Sequence, residues 1–363
     1  METSGRSVNR SSKSGRASGG RQKAPARIRR TGCPTIDFHA HMIVPEVKDF
    51  ISRHSVAGGV GKQRRVSKSS SAFQKRQERE NWSKNTDPKV RLKDMDRMGI
   101  DIQVLTPNLH HYCYWAKPED GLRVSRIVNE RISEIVNDHP NRFVGMGTIP
   151  LQDVGTAIKE LDRAVNELDL RGVIINSNVN KQELGEPMFR RFWARAEKLG
   201  VTVYIHPAGF TQPERLQKYF LWNSVAQPLE ETLAMCSLIY EGVLDAFPRL
   251  KICIAHGGGY LPFYTGRADR AYETRPETRK NIHKYPSQYL RNFFYDTVVY
   301  NLDMLMFLLK KVGDNRIVLG TDYPAFLGEE DPVGFVNRAR GISRETKEKI
   351  LWRNAAKLLK IRL

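Results

Sequence analysis

The chain has 363 residues, 40% of them apolar, and a formal net charge of +19. That length suits one large domain with appendages, and no apolar run approaches the roughly 20 residues of a membrane span, which argues against an embedded protein. The charge raises nucleic acid as a partner, but fifteen of the nineteen excess charges fall in residues 1–31 and 53–84, without a recognition motif.

Residues 1–31 are rich in Ser, Gly and Arg and are predicted to be a disordered basic tail. Their composition also fits an organellar transit peptide, whereas no apolar block follows to make a secretory signal. Cys33, Cys113, Cys236 and Cys253 are scattered without a CxxC pair. A cytoplasmic protein with reduced thiols is therefore expected. The folded domain is predicted over 32–363, with residues 53–84 a basic insertion after the first strand, a long loop with some helix.

Short runs rich in Val, Ile and aromatics follow at 35–41, 100–107, 143–150, 172–177, 201–207, 251–257, 292–299 and 316–324. Each fits a strand buried on both faces. Between them, apolar residues recur at helical spacing over 119–138, 153–168, 187–199, 225–246 and 343–358. Pro187 and Pro228 mark helix starts and Gly200 a helix end. Such alternation predicts the α/β class, either a (β/α)8 TIM barrel or a doubly wound open sheet.

The polar residues decide between them. His39 and His41 end the first strand, His206 the fifth, His256 the sixth and Asp322 the eighth. In a barrel those ends converge on one mouth, and alternate residues of a strand face the same way. Three imidazoles and a carboxylate suit a divalent metal such as zinc. Each residue alone has an ordinary explanation: a hydrogen-bonded core His, or an Asp in a turn. It is their joint placement that points to a site.

These residues resemble the amidohydrolase superfamily. Within it the stretches IDFHAH, YWAKPED (114–120), RFVGMGTIPLQ (142–152), AHGGG (255–259), GRADRAYE (266–273), LGTDYP (319–324) and RNAAKLL (353–359) are most similar to the aminocarboxymuconate-semialdehyde decarboxylase branch. The resemblance implies a TIM barrel with one divalent metal, zinc or manganese, held by His39, His41, His206 and Asp322. His256 and Asp322 would then act in catalysis, with His256 moving the proton. Arg267 would grip the carboxylate of a small-molecule substrate in the neighbouring subunit's site, which implies a homodimer. The fourth strand has no lysine at its end, and Lys181 comes too late, so a second, lysine-bridged metal is not expected.

The sequence departs from that branch near the substrate. Ala208 stands where a Trp is usual and Ala325 where a Phe is usual, with Phe326 next. The arginine expected after the first strand has three candidates, Arg64, Arg65 and Arg76. His110 and His111 could be substrate contacts or surface residues. Gly257–Gly259 lack a phosphate-loop pattern and are expected to let the backbone run close to the site. Tyr219, Phe220 and Trp222 are expected in the core or an interface. The implied reaction is non-oxidative decarboxylation of an aromatic or dienoic acid; hydrolysis of a lactone, ester or amide would use the same site.

Overall fold

The computed structural model describes residues 32–54, 75–210 and 215–363. The basic start and the middle of the insertion, including Arg64 and Arg65, lie outside them. The eight runs form strands β1 (Ile36–Met42), β2 (Ile102–Pro107), β3 (Phe143–Gly145), β4 (Gly172–Ile175), β5 (Thr202–Ile205), β6 (Lys251–Ile254), β7 (Phe293–Asp296) and β8 (Ile317–Val318). β1 to β3 make a three-stranded sheet and β4 to β8 a five-stranded one, each in chain order. All their pairings are parallel. Isolated parallel bridges link Gly147 to Val173 and Ala40 to Tyr323. Along the second seam Phe38 N–H donates to Leu319 O and Asp322 N–H to His39 O, both at 2.8 Å.

Two strands are shorter than their sequence runs. In the run 143–150 the regular ladder ends at Gly145, although Met146 N–H still donates to Leu105 O at 3.0 Å and Gly147 bridges to Val173. In the run 316–324 the regular pairing with β7 ends at Val318, where Leu319 N–H donates to Ile350 O at 2.9 Å, while the residues beyond it pair with β1 across the second seam.

The helices pack by their apolar stripes. In Pro118–Asp138 the buried residues include Val124, Val128, Ile132 and Ile135, spaced by three and four. Val154–Asn166 starts at Asp153, whose carboxylate accepts from Thr156 N–H at 2.7 Å. Gly200 closes Arg190–Leu199 in the left-handed conformation. The run 225–246 is two helices, Ala226–Tyr240 and Val243–Ala246, interrupted at Gly242. Within the insertion, residues 75–80 and Trp82–Thr86 are helical. Of the two places expected for the aromatic cluster, core or interface, it is not in the core: Tyr219 is 86% exposed and Phe220 packs its ring on Trp222 at 4.8 Å near the surface. No disulfide joins the described cysteines. Among the described residues no helix is long and apolar enough to cross a membrane.

Candidate metal centre

His39 and His41 are alternate residues of β1, so both rings leave it on one side. His206 directly follows β5, His256 lies just past β6, and Asp322 follows β8 by a short turn. Both His256 and Asp322 have left-handed backbones, with φ of +49° and +59°. Such geometry costs a non-glycine residue about 1–3 kcal/mol, which the surrounding fold must offset. Gly257 and Gly258 continue the turn at positive φ. A Cβ at Gly257 would stand 2.4 Å from Val299 Cγ1, and one at Gly258 would stand 2.6 Å from Tyr295 Cε1. The glycines therefore allow the close approach that brings His256 to the centre.

Hydrogen bonds decide which ring nitrogen each ligand offers. His39 Nδ1 is 2.7 Å from Asp296 Oδ2, a buried carboxylate that can only accept when ionised. The Thr106 hydroxyl donates to Ala40 O at 2.9 Å, so its oxygen accepts from His41 Nδ1 at 3.0 Å. His206 Nδ1 donates to Pro207 O at 2.9 Å. All three rings thus carry their proton on Nδ1 and turn the Nε2 lone pair inward. His39 Nε2 and His41 Nε2 are 3.1 Å apart, and they lie 3.1 and 3.2 Å from Asp322 Oδ1. His206 Nε2 is buried with no hydrogen-bond partner. Lone pairs crowded together beside a carboxylate are stable only around a cation, so these residues fit a divalent metal.

Electrostatics agree. Burial opposes a charge on His39, but Asp322 and Asp296 outweigh it and lift its pKa to about 9, so a proton competes with a metal for its Nε2. Burial, the His41, His256 and His39 rings hold His206 well below its ordinary value, hence neutral. Burial works against ionised Asp322 too, yet His39, His256 and His41 keep its pKa well below the carboxylate range. The pocket attracts positive charge while keeping His206 free to ligate.

His256 also approaches. One ligand atom from each of His39, His206, His256 and Asp322 lies within 4.8 Å of the others. His256 differs from His41 in its partners: Nδ1 makes a short contact with Glu231 Oε1, and Nε2 is 3.7 Å from Asp322 Oδ2. Burial opposes its charge, but Glu231 and Asp322 raise its pKa well above the ordinary value. His41 Nε2 stands 3.1 Å from His39 Nε2 and 3.2 Å from Asp322, whereas His256 is tied to Glu231 and stands farther from Asp322, so His41 is the better third imidazole ligand and His256 the better proton carrier.

The structure thus gathers all five sequence-selected residues. Arg267 is not among them: it lies exposed on the helix Leu261–Thr274. Lys181 is exposed at the turn of a two-residue hairpin, away from the end of β4. Ala208 is buried with its N–H on Asn176 Oδ1 at 2.8 Å, whereas Ala325 and Phe326 are exposed. His111 is buried and His110 exposed. Arg76 pairs with Glu80 at 3.7 Å on an exposed helix. Two functional partners were missed. Asp296 ends β7, and the strand-end signal that marked the other residues could have found it. Glu231 lies within a helix among other polar residues, with no such signal.

Residues 36–361 match the amidohydrolase family. The chain is 36% identical to the 2-amino-3-carboxymuconate-6-semialdehyde decarboxylase of Dictyostelium discoideum over 326 residues, 89% of this chain and 91% of the relative. It is 28% identical to the gamma-resorcylate decarboxylase of Rhizobium radiobacter, across 75% of this chain and 86% of that one. The solved 5-carboxyvanillate decarboxylase of Sphingomonas paucimobilis superposes with a TM-score of 0.80 at 26% identity, covering 91% of this chain and 99% of that one. The chain belongs to the amidohydrolase family, in the branch of its decarboxylases. It is a metal-dependent carboxy-lyase.

Proposed function

We propose that the protein removes CO₂, without an oxidant, from an aromatic or dienoic carboxylic acid. In this reading residues 32–363 form one closed (β/α)8 barrel, a view supported by the bridges on both seams between its sheets. One divalent metal, zinc or manganese, is held by His39, His41, His206 and Asp322. The observation that carries this is the convergence of three lone pairs and a carboxylate. Relatives named for dienoic and hydroxybenzoic acids support the substrate class. Four cysteines without a disulfide among the described residues suit a cytoplasmic setting.

The bound ion supplies positive charge that orients and polarises an anionic substrate. His256 delivers a proton from Nε2 to the carbon that bears the carboxylate. The carbon–carbon bond then breaks, its electron pair returns to the conjugated system, and CO₂ departs. Ala208 and Ala325 stand where the branch usually has Trp and Phe, in keeping with an acid of different shape from that of the relatives. The protein is a homodimer in this reading, and the partner subunit's Arg267 grips a substrate carboxylate by a charge-assisted fork. Tyr260, Tyr264 and Met304, exposed apolar side chains on or next to the helices that carry Arg267 and its neighbour, support an interface there.

The test offers metal-loaded protein a panel of hydroxybenzoates, aminobenzoates and carboxymuconate semialdehydes, with lactones as controls. CO₂ release that stops on chelation, and that His256→Ala nearly abolishes with metal still bound, is the expected result. Lactone hydrolysis without CO₂ release, or full activity after exhaustive chelation, overturns the proposal.

A further inference from the structure

Glu231 is wholly buried in the helix Ala226–Tyr240, which packs against the turn carrying His256. Its Oε1 meets His256 Nδ1, and its Oε2 has no hydrogen-bond partner. Burying a carboxylate with half its acceptor capacity unused is costly. What the contact does accomplish is local. The His256 backbone is held by Asp296 Oδ2, which accepts its N–H at 3.1 Å, but that bond leaves the ring free to rotate. An imidazole rotated by half a turn would put its two carbons where Nδ1 and Nε2 now stand, and the His39 and His206 rings, with centroids 5.3 and 4.8 Å away, do not by themselves fix which nitrogen carries the proton. An ionised carboxylate only accepts, so it pins the proton of the facing nitrogen in place.

We propose that Glu231 is a positioning residue: it holds the His256 proton on Nδ1 and thereby makes Nε2, the nitrogen facing Asp322, the atom that exchanges a proton with substrate. This rests on His256 being the proton carrier. The relationship is that of the aspartate to the histidine in serine hydrolases, where an amide in place of the carboxylate leaves the geometry but favours the wrong tautomer.

The experiment compares wild type, Glu231→Gln and His256→Ala as full-length, metal-loaded protein. Manganese-loaded samples give kcat, KM, metal content and melting temperature. Zinc-loaded samples with ¹⁵N-labelled histidines report the His256 tautomer, assigned by its loss in His256→Ala. The expected wild-type spectrum shows Nδ1–H. In Glu231→Gln we expect that tautomer to be lost and kcat to fall by about 100-fold or more, with KM within about threefold and metal content unchanged. A wild-type His256 protonated only on Nε2 overturns the proposal, even if the variant does not fold. So does a Glu231→Gln protein with wild-type kcat or an unchanged tautomer. Turnover that survives in His256→Ala instead removes the proton-carrier reading, and the nitrogen spectra still decide whether Glu231 sets the tautomer.

Discussion

His39 and Asp296 are 257 positions apart, yet their side chains meet at 2.7 Å with neither exposed to solvent. Asp296 Oδ2 also accepts from the Tyr204 hydroxyl at 3.0 Å and from His256 N–H at 3.1 Å. One carboxylate therefore orients the His39 ring and anchors the turn that carries His256.

From this follows the behaviour of Asp296→Asn. The amide can donate to His39 Nδ1, which moves the ring proton to Nε2 and removes the lone pair owed to the metal. Metal affinity should fall by about 10- to 100-fold, read by competition with a chromophoric chelator. Unchanged affinity would show that Asp296 merely fills space.

Metal removal should be felt by the fold as well as by catalysis. With free metal at about 100 times its dissociation constant, binding stabilises the native state by roughly 2.7 kcal/mol. For a domain of this size that corresponds to a melting temperature on the order of 5 °C higher than after chelation. Scanning calorimetry with and without chelator checks it; coincident transitions would count against a site in this cluster.

The centre was legible because strand ends carry it. The HxH alternation of β1 needs only the two-residue period, and His206 follows its strand directly. The supporting carboxylates were not, for different reasons. Asp296 is 257 positions from His39, and nothing local signals a hydrogen bond across that separation. Glu231 reaches His256 from a helix whose neighbouring Glu230 is equally polar in sequence, but Glu230 turns instead to Ser177 and Asn178. Helix breaks were hidden for a similar reason. The run 343–358 keeps its apolar period while the backbone passes through a π-helical turn at Lys349–Arg353.

Arg267 offers a test of subunit sharing. Alone, Arg267→Ala should raise KM by about 10-fold or more, because a charge-assisted carboxylate contact is lost. Mixed with His256→Ala protein under conditions that exchange subunits, it should regain activity. Each mixed dimer has one site with an intact His256 and the partner subunit's intact Arg267. Turnover in the mixture no higher than the sum of the separate variants would exclude Arg267 from a shared site.

A last consequence concerns acid stability and lies outside the centre. His111 Nε2 accepts Val44 N–H at 3.4 Å, so the ring proton sits on Nδ1 and the imidazole is neutral. Burial, reinforced by repulsion from His110, pushes its pKa down from 6.5 to about 3. In the unfolded chain the same ring takes up a proton below its ordinary value, while the folded one refuses it until far lower pH. Between those limits the unfolded state binds more protons, so stability is intact above about pH 6.5 and declines as the pH falls toward about 3. The loss at the acid end is on the order of a few kcal/mol. His111→Gln keeps an acceptor for Val44 but cannot take up the proton. We expect it to be slightly less stable than wild type at pH 7 and to lose less between pH 7 and 4.5, measured as the shift in urea midpoint. Equal losses in the two proteins would mean that His111 does not drive the acid limb.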